Sequence, residues 1–292
     1  ISELQSLWSK RSMKLLYYNE FIYSFTAQGK EFYKHCDVAH KVAEDVIEKR
    51  RAALAKKEQD PKLTKGSKMK DFLDLLLSAK DADGNGLSPL EMRDEVDTFM
   101  FAGHDTAASG MTWTLYALAG HPEHQQRVYE EVLEVLGDRE DVEWNDLPKL
   151  EYTTMCVKEA VRLHGPVPII ERVLSEDLTF NDQTFPKGTR TFVHLYNLHH
   201  NPHVWDEPNE YRPERFHPDV QRNMNPFQYV PFSAGSRNCI GQNFAMNEMK
   251  TTTAKIIRKF TLSIDPEHKV RRLPTITMVP ETGVYLFASP RS

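Results

Sequence analysis

Residues 232–241 read FSAGSRNCIG, and they give one cysteine, Cys239, surroundings that a buried cysteine does not need. Gly235 and Gly241 lack a Cβ atom, so the backbone on both sides of the cysteine can lie close to a flat ligand. Arg237 adds a positive charge that suits a carboxylate of such a ligand. We therefore take Cys239 as a candidate metal-bound thiolate.

The stretch after this loop, QNFAMNEMKTTTAKIIRKF, predicts a helix that begins just beyond Cys239. Free N–H groups at a helix N-terminus stabilise a thiolate, which strengthens the interpretation as a metal ligand. The other two cysteines, Cys36 and Cys156, stand in no comparable pattern, and we expect them to be ordinary buried side chains.

Composition indicates a globular protein and excludes several functional classes. The chain has 292 residues, of which 40% are hydrophobic and 27% are charged, far from the composition of a disordered protein. A net charge of -5 without a long basic block argues against nucleic-acid binding. Three scattered cysteines without a CxxC pair favour a reducing compartment. We recognise neither a membrane-spanning run nor a signal peptide.

The hydrophobic pattern predicts a mainly helical protein with small sheets and one long loop. The clearest helix start is a capping box at Ser88 and Glu91, with Pro89 at the first helical position. Residues 62–70 predict a basic linker, and residues 201–238, with six prolines, predict a long loop that is functional. Helices are expected at 1–57, 71–80, 89–121, 122–137 and 152–164, and strands within 172–180, 190–197, 275–280 and 284–289.

Two patterns resemble metal sites, and we disfavour both. DADGNG (81–86) fits the first half of a calcium-binding EF-hand loop, but the twelfth position is Met92 instead of a glutamate. His199, His200 and His203 lie close together, but no cysteine or fourth histidine stands nearby to complete a zinc site. We expect these histidines to belong to a packed loop.

Three further motifs carry polar residues whose placement needs an explanation. In EAVR (159–162) a glutamate and an arginine share one helical face, and PERF (213–216) adds an arginine from the long loop. Alone, each would most simply be a solvated surface charge. AGHDTA (102–107) places an acid and a glycine inside the long helix, where an unpartnered buried acid costs several kcal/mol. A polar patch facing a cleft is the alternative for this third motif.

Together these motifs resemble those of the cytochromes P-450. FSAGSRNCIG matches the haem-binding pattern F-x-x-G-x-R-x-C-x-G at every specified position, and a chance match at one window is roughly one in a million. EVDTFMFAGHDTA (95–107) is similar to the signature of the fourth P-450 family, the fatty-acid ω-hydroxylases and their relatives. The resemblance covers 1–292 and implies a mainly α fold with small antiparallel β-sheets.

The resemblance implies how the chain holds its cofactor, haem b. Cys239 is the expected axial ligand of the iron, and Arg172 and Arg237 are the expected partners of the haem propionates. Gly103 is expected to leave room beside the iron for dioxygen. The other residues expected around the cofactor are Phe232, Gly235, Gly241 and Ala102.

The resemblance also assigns a catalytic pair and a structural triad. Asp105 and Thr106 are expected to organise water for proton delivery. Glu159, Arg162 and Arg215 are expected to tie the long loop to its helix and so to hold the thiolate in place.

The implied activity is that of a haem-thiolate monooxygenase, which inserts one atom of O2 into a C–H bond of a long-chain fatty acid or eicosanoid, at the ω position or within the chain. Electrons are expected from NADPH through a cytochrome reductase. Candidate contacts for that acidic partner are Lys250, Lys255, Arg258 and Lys259, although a solvated helix face explains them nearly as well. A haem-thiolate isomerase or dehydratase and an inert fragment remain alternatives.

The chain begins at Ile1 rather than Met, and its resemblance to the family starts at helices F and G. We therefore expect 1–292 to be one catalytic domain from which the membrane anchor and the early helices are missing. For the complete protein, the resemblance implies the cytosolic face of the endoplasmic reticulum membrane.

Ala102 departs from the pattern of the fourth family, in which many members have a glutamate that becomes ester-linked to a haem methyl group. Alanine has no carboxylate, so we expect the haem here to be held without that bond. The loss of this constraint also makes in-chain hydroxylation or epoxidation more accessible.

Extraction of the haem-loaded protein with acidified organic solvent is therefore expected to remove all haem from the polypeptide. The measurement is the haem absorbance that remains with the precipitated protein. Haem that stays on the denatured chain would contradict non-covalent binding.

Overall fold

A computed structural model of the chain describes residues 2–59 and 71–291. They form two compact units, Ile1–His104 and Asp105–Ser292. The linker predicted at 62–70 lies outside the described residues. The helices are α1 (Ser2–Ser12), α2 (Glu20–Phe25), α3 (Ala27–Gln59), α4 (Phe72–Ser78), α5 (Pro89–Gly120), α6 (Pro122–Leu136), α7 (Glu151–His164), α8 (Leu195–His199), α9 (Pro218–Gln221) and α10 (Gln242–Lys259).

The first unit is helical, as the sequence predicts, and a close crossing joins α2 to α3. A Cβ atom at Gly29 would lie 1.9 Å from the carbonyl oxygen of Tyr23, so only glycine allows this approach. The carboxylate of Asp74 in α4 accepts two hydrogen bonds from Arg50 in α3, at 2.7 and 2.6 Å. A small apolar core of this unit includes Ala43, Ile47, Met92 and Val96.

The start of α5 confirms the predicted capping box. The Ser88 hydroxyl accepts from the backbone N–H of Glu91, and the Glu91 carboxylate accepts from the backbone N–H of Ser88. The helix then continues to Gly120, and Pro122 opens α6. The residue after α6 is Gly137, which has a positive φ of 55°. The first and last residues of α5 and α6 agree with the predicted helices 89–121 and 122–137 to within one residue.

The core of the second unit lies between α5, α6, α7 and α10. Cys156 is fully buried in it, which confirms the expectation of an ordinary buried cysteine. Cys36, in the other unit, is only partly buried. Fully or almost fully buried members of this core include Leu118, Val128, Val132, Leu150, Ala160 and Ile257.

The strands of the described residues form four antiparallel pairs. Three of the eight were not predicted, because short strands form only against a partner that the local sequence does not show; they are Gln183–Phe185 (β3), Phe260–Ile264 (β5) and Arg272–Pro274 (β6). The predicted strand at 190–197 is half wrong, since Leu195 is buried and starts α8. The pairs are β1 (Ile169–Val173) with β4 (Arg190–His194), β2 (Leu178–Phe180) with β3 (Gln183–Phe185), β5 (Phe260–Ile264) with β8 (Leu286–Pro290), and β6 (Arg272–Pro274) with β7 (Met278–Pro280).

The predicted long loop joins α8 to α10. It contains the 3-10 turn Pro213–Phe216 and the single helical turn of α9, and otherwise consists of turns and bends. We call residues 200–241 the connecting segment. The fold is therefore mainly α with small antiparallel sheets, as expected, and the connecting segment positions Cys239.

Candidate functional site

Cys239 lies at the end of the connecting segment, three residues before α10 begins. Its backbone N–H donates to the carbonyl of Phe232 at 2.9 Å, which closes the loop. Gly235 has φ 83° with open space where a Cβ would stand, so its glycine serves the backbone conformation and not a crowded contact. The side chain of Cys239 is exposed, unlike that of an ordinary core cysteine.

The Cys239 thiol shares a cavity of about 260 Å³ with residues from several elements of the second unit. Thr106 and Ala107 contribute from α5, and Arg237 contributes from the same loop as the cysteine. Arg172 of β1 adds a second guanidinium, which donates to the Ser233 hydroxyl at 3.2 Å. The other lining residues are mostly apolar and include Val161, Pro166, Ile170, Leu195, Phe232, Ala245 and Met249.

This set of residues fits haem. One exposed thiol can bind the iron, the apolar walls can cover a flat ring, and two guanidinium groups can pair with two carboxylates. A larger cavity of about 570 Å³ exists in the same unit, lined by Trp113, Tyr116 and Arg272 among others. It holds no thiol, and we therefore place the functional site in the smaller cavity.

The two residues of the predicted catalytic pair face different surroundings. Thr106 lines the cavity of Cys239, whereas Asp105 does not. The Oδ2 atom of Asp105 instead accepts a hydrogen bond of 2.8 Å from the hydroxyl of Thr277, a buried residue beside β7 that sequence reasoning did not identify. Ala102 and Gly103 are exposed positions of α5 within the first unit.

Glu159, Arg162 and Arg215 form a buried ionic cluster. Arg162 donates from Nε and Nη2 to the two oxygens of Glu159, at 2.7 and 2.9 Å, and both side chains are fully buried. Arg215 donates from Nε to Oε1 of Glu159 at 3.3 Å. The structure thus brings together the three residues that the motifs singled out.

Arg162 also binds the backbone of the connecting segment and its flank. Its Nη1 donates to the carbonyls of His199 and Pro208, at 2.7 and 2.8 Å, and its Nη2 donates to the carbonyl of Glu210 at 3.1 Å. The backbone N–H of Arg212 donates to Glu159 at 2.9 Å. These backbone partners have no signature in the sequence, because any residue type can supply them.

Of the histidines of HHNPH, His199 is buried in this packing and His200 is partly buried, whereas His203 is exposed, which contradicts the expectation for that residue. Burial, and then the nearby Arg162 guanidinium, lower the pKa of His199 from 6.5 to about 3, so the imidazole is neutral at neutral pH. Its Nε2 can therefore accept the backbone N–H of Val230 at 3.2 Å. In residues 2–59 and 71–291, no group of three His, Cys, Asp or Glu side chains could hold a metal ion.

The predicted reductase contacts on α10 are wrong for one of the four residues. Lys250 is buried, and its ammonium group donates to the carbonyl of Leu147. Lys255 and Lys259 are exposed and Arg258 is partly buried, and all three have partners within the chain. Lys255 pairs with Asp141, Lys259 pairs with Glu140, and Arg258 donates to the carbonyl of Gly137.

Comparison with known proteins identifies the family. The family model described as Cytochrome P450 matches residues 1–287, and the chain belongs to this family. It is 43% identical to cytochrome P450 4B1 of Rattus norvegicus, with 99% of this chain and 57% of the relative covered. It is 44% identical to the ultra-long-chain fatty acid omega-hydroxylase of Homo sapiens, with 99% and 55% covered.

A solved structure agrees with this assignment. The crystal structure of the cytochrome P450DA heme domain matches with a TM-score of 0.79 and 26% identity, over 91% of this chain and 56% of that chain. The chain thus spans little more than half the length of the proteins it matches, 55 to 57% of the two curated relatives. Among the helices that the structure describes, none has both the length and the apolar character needed to cross a bilayer.

Replacement of Arg162 by methionine is expected to lower the free energy of unfolding by about 3–5 kcal/mol, because the buried Glu159 would lose its bidentate partner and keep only the longer contact with Arg215. The matched control is Arg212→Met, since the Arg212 side chain is 46% exposed and pairs with Glu207 at the surface. This control should cost at most about 1 kcal/mol. Urea unfolding of the two variants measures both values, and equal small losses would contradict a stabilising buried cluster.

Proposed function

We propose that this chain is the catalytic domain, over residues 1–292, of a haem-thiolate monooxygenase. It would insert one oxygen atom from O2 into a C–H bond of a lipophilic substrate. The observation that carries the proposal is the cavity in which the exposed Cys239 thiol meets Thr106 of α5 and the guanidinium groups of Arg172 and Arg237. A thiol that served only packing would need none of these neighbours.

The cofactor would be held by four features of this cavity. Cys239 would bind the iron through its sulfur, from a position three residues before the start of α10. Arg172 and Arg237 would pair with the propionates, and the glycine conformation at Gly235 would shape the loop around the ring. Haem in such a site supplies the oxidant from dioxygen, and thiolate ligation favours O–O cleavage.

The residues of α5 would manage protons and water. Thr106 has its side chain at the cavity and would hold a water molecule by its hydroxyl group. Asp105, the preceding residue, would relay protons: its carboxylate would take up a proton from solvent, and the resulting carboxylic acid would donate it to that water. The apolar remainder of the wall would exclude bulk water from the reacting centre.

The substrate class that we propose is a long-chain fatty acid or a related lipid. The support is the human relative named ultra-long-chain fatty acid omega-hydroxylase, together with the apolar lining of the cavity. The name of this relative favours monooxygenation over the isomerase or dehydratase alternative. For the whole protein we propose an NADPH–cytochrome reductase as electron donor, and attachment to the endoplasmic reticulum membrane.

A spectrum of the reduced, CO-treated protein tests the proposal. The protein is expected to show the red-shifted Soret band of thiolate-ligated haem, and Cys239→Ser should abolish this band because a serine oxygen replaces the sulfur. Cys36→Ser is the matched control, since Cys36 lies in the other unit. If Cys239→Ser kept the band and the lipid oxidation, the proposed function would be wrong.

A further inference from the structure

We propose that Thr277 is a positioning residue that holds the carboxylate of Asp105 in the orientation from which it serves Thr106. The inference rests on the proposed function and adds a residue to it. Its central observation is the 2.8 Å hydrogen bond from Thr277 Oγ1 to Asp105 Oδ2, made by a threonine that is 1% exposed.

The hydrogen bond belongs to a regular contact between one face of α5 and the hairpin of β6 and β7. Asp105, Ser109 and Trp113 are spaced by four residues and therefore lie along one side of the helix. Ser109 Oγ and Trp113 Nε1 both donate to the carbonyl of Met278, at 2.7 and 3.1 Å. Asp105 extends this row by one turn and accepts from Thr277, the neighbour of Met278.

Hydrogen bonds fix the hairpin of β6 and β7, so the Thr277 hydroxyl cannot easily shift with the Asp105 carboxylate. The backbone N–H of Met278 donates to the carbonyl of Pro166 at 2.7 Å. Across the turn, Thr275 donates to the carbonyl of Thr277 from its backbone N–H at 3.0 Å and from its hydroxyl at 2.8 Å. Because Thr277 is fixed by these bonds to its own carbonyl and to the next residue, its hydroxyl determines the direction of the Asp105 carboxylate.

This arrangement explains how two adjacent residues can act together from different faces of one helix. Successive residues of a helix point about 100° apart, and accordingly Thr106 lines the cavity of Cys239 while Asp105 turns toward the hairpin. A proton can pass between them only if the carboxylate keeps a fixed direction relative to the water at Thr106. The hydroxyl of Thr277 supplies that constraint.

The test compares Thr277→Val with Thr277→Ser in the haem-loaded enzyme with its reductase. Valine keeps the shape of threonine and removes the hydroxyl, whereas serine keeps the hydroxyl. The matched control is Ser109→Ala, which removes a buried hydrogen bond from the same contact without touching Asp105. The readouts are product formed per NADPH consumed, the split between kcat and KM, and the urea midpoint of unfolding.

Thr277→Val is expected to lower kcat and product per NADPH by about tenfold with KM unchanged, because a misdirected acid delivers protons poorly. Thr277→Ser and Ser109→Ala should stay within about twofold of wild type. In unfolding, Thr277→Val should lower the urea midpoint more in the wild-type background than in the Asp105→Asn background, where the Thr277 hydroxyl keeps only a neutral amide acceptor.

The inference is overturned if Thr277→Val keeps wild-type coupling of NADPH to product, or if Ser109→Ala loses as much as Thr277→Val. Equal midpoint shifts in the two Asp105 backgrounds would also overturn it. Failure of the proposed function is a different result, since the wild-type enzyme itself would then form no product from substrate, O2 and NADPH.

Discussion

The architecture of the site depends on the ion pair between Glu159 and Arg162, which is closed to water on all sides. Desolvation of two charges is unfavourable, and such a pair persists only where further hydrogen bonds satisfy both groups. Here the partners come from the connecting segment and its flank, through backbone carbonyls, the Arg212 N–H and the Arg215 side chain. The pair therefore organises a stretch of chain that has almost no regular structure of its own.

From this cluster, a continuous series of contacts leads to the thiol. The Phe216 ring packs against Tyr229, whose hydroxyl donates to the carbonyl of Lys158 in α7 at 3.1 Å. The next residue, Val230, donates to the neutral imidazole of His199. Two residues further on, the carbonyl of Phe232 accepts the backbone N–H of Cys239. These contacts connect the buried ion pair to the loop that carries the thiol.

The sequence was sufficient for the features that depend on local chemistry. The capping box at Ser88, the helix ahead of Gly137 and the cysteine loop before α10 follow from residue types at fixed spacing, and the helices follow from their periodicity. The sequence was insufficient where a residue distant along the chain determines the conformation or the contacts of a segment. The strand β5 continues directly from α10, and Thr277 reaches Asp105 across 172 positions, so neither has a local signal. Lys250 likewise belongs to a charged helix face by its spacing, but tertiary packing buries it.

The buried cluster is expected to hold the Cys239 loop in the form that binds haem through sulfur. Arg215→Met is the sharpest test, because it removes the Arg215 contacts with Glu159 and with the Glu207 carbonyl and leaves the cysteine and the Glu159–Arg162 pair intact. Arg222→Met, at an exposed arginine of the same segment, is the control. The measurement is the fraction of CO-bound reduced haem with the thiolate-type Soret band. We expect a marked fall for Arg215→Met alone, whereas an unchanged fraction in that variant would show that the cluster does not hold the loop.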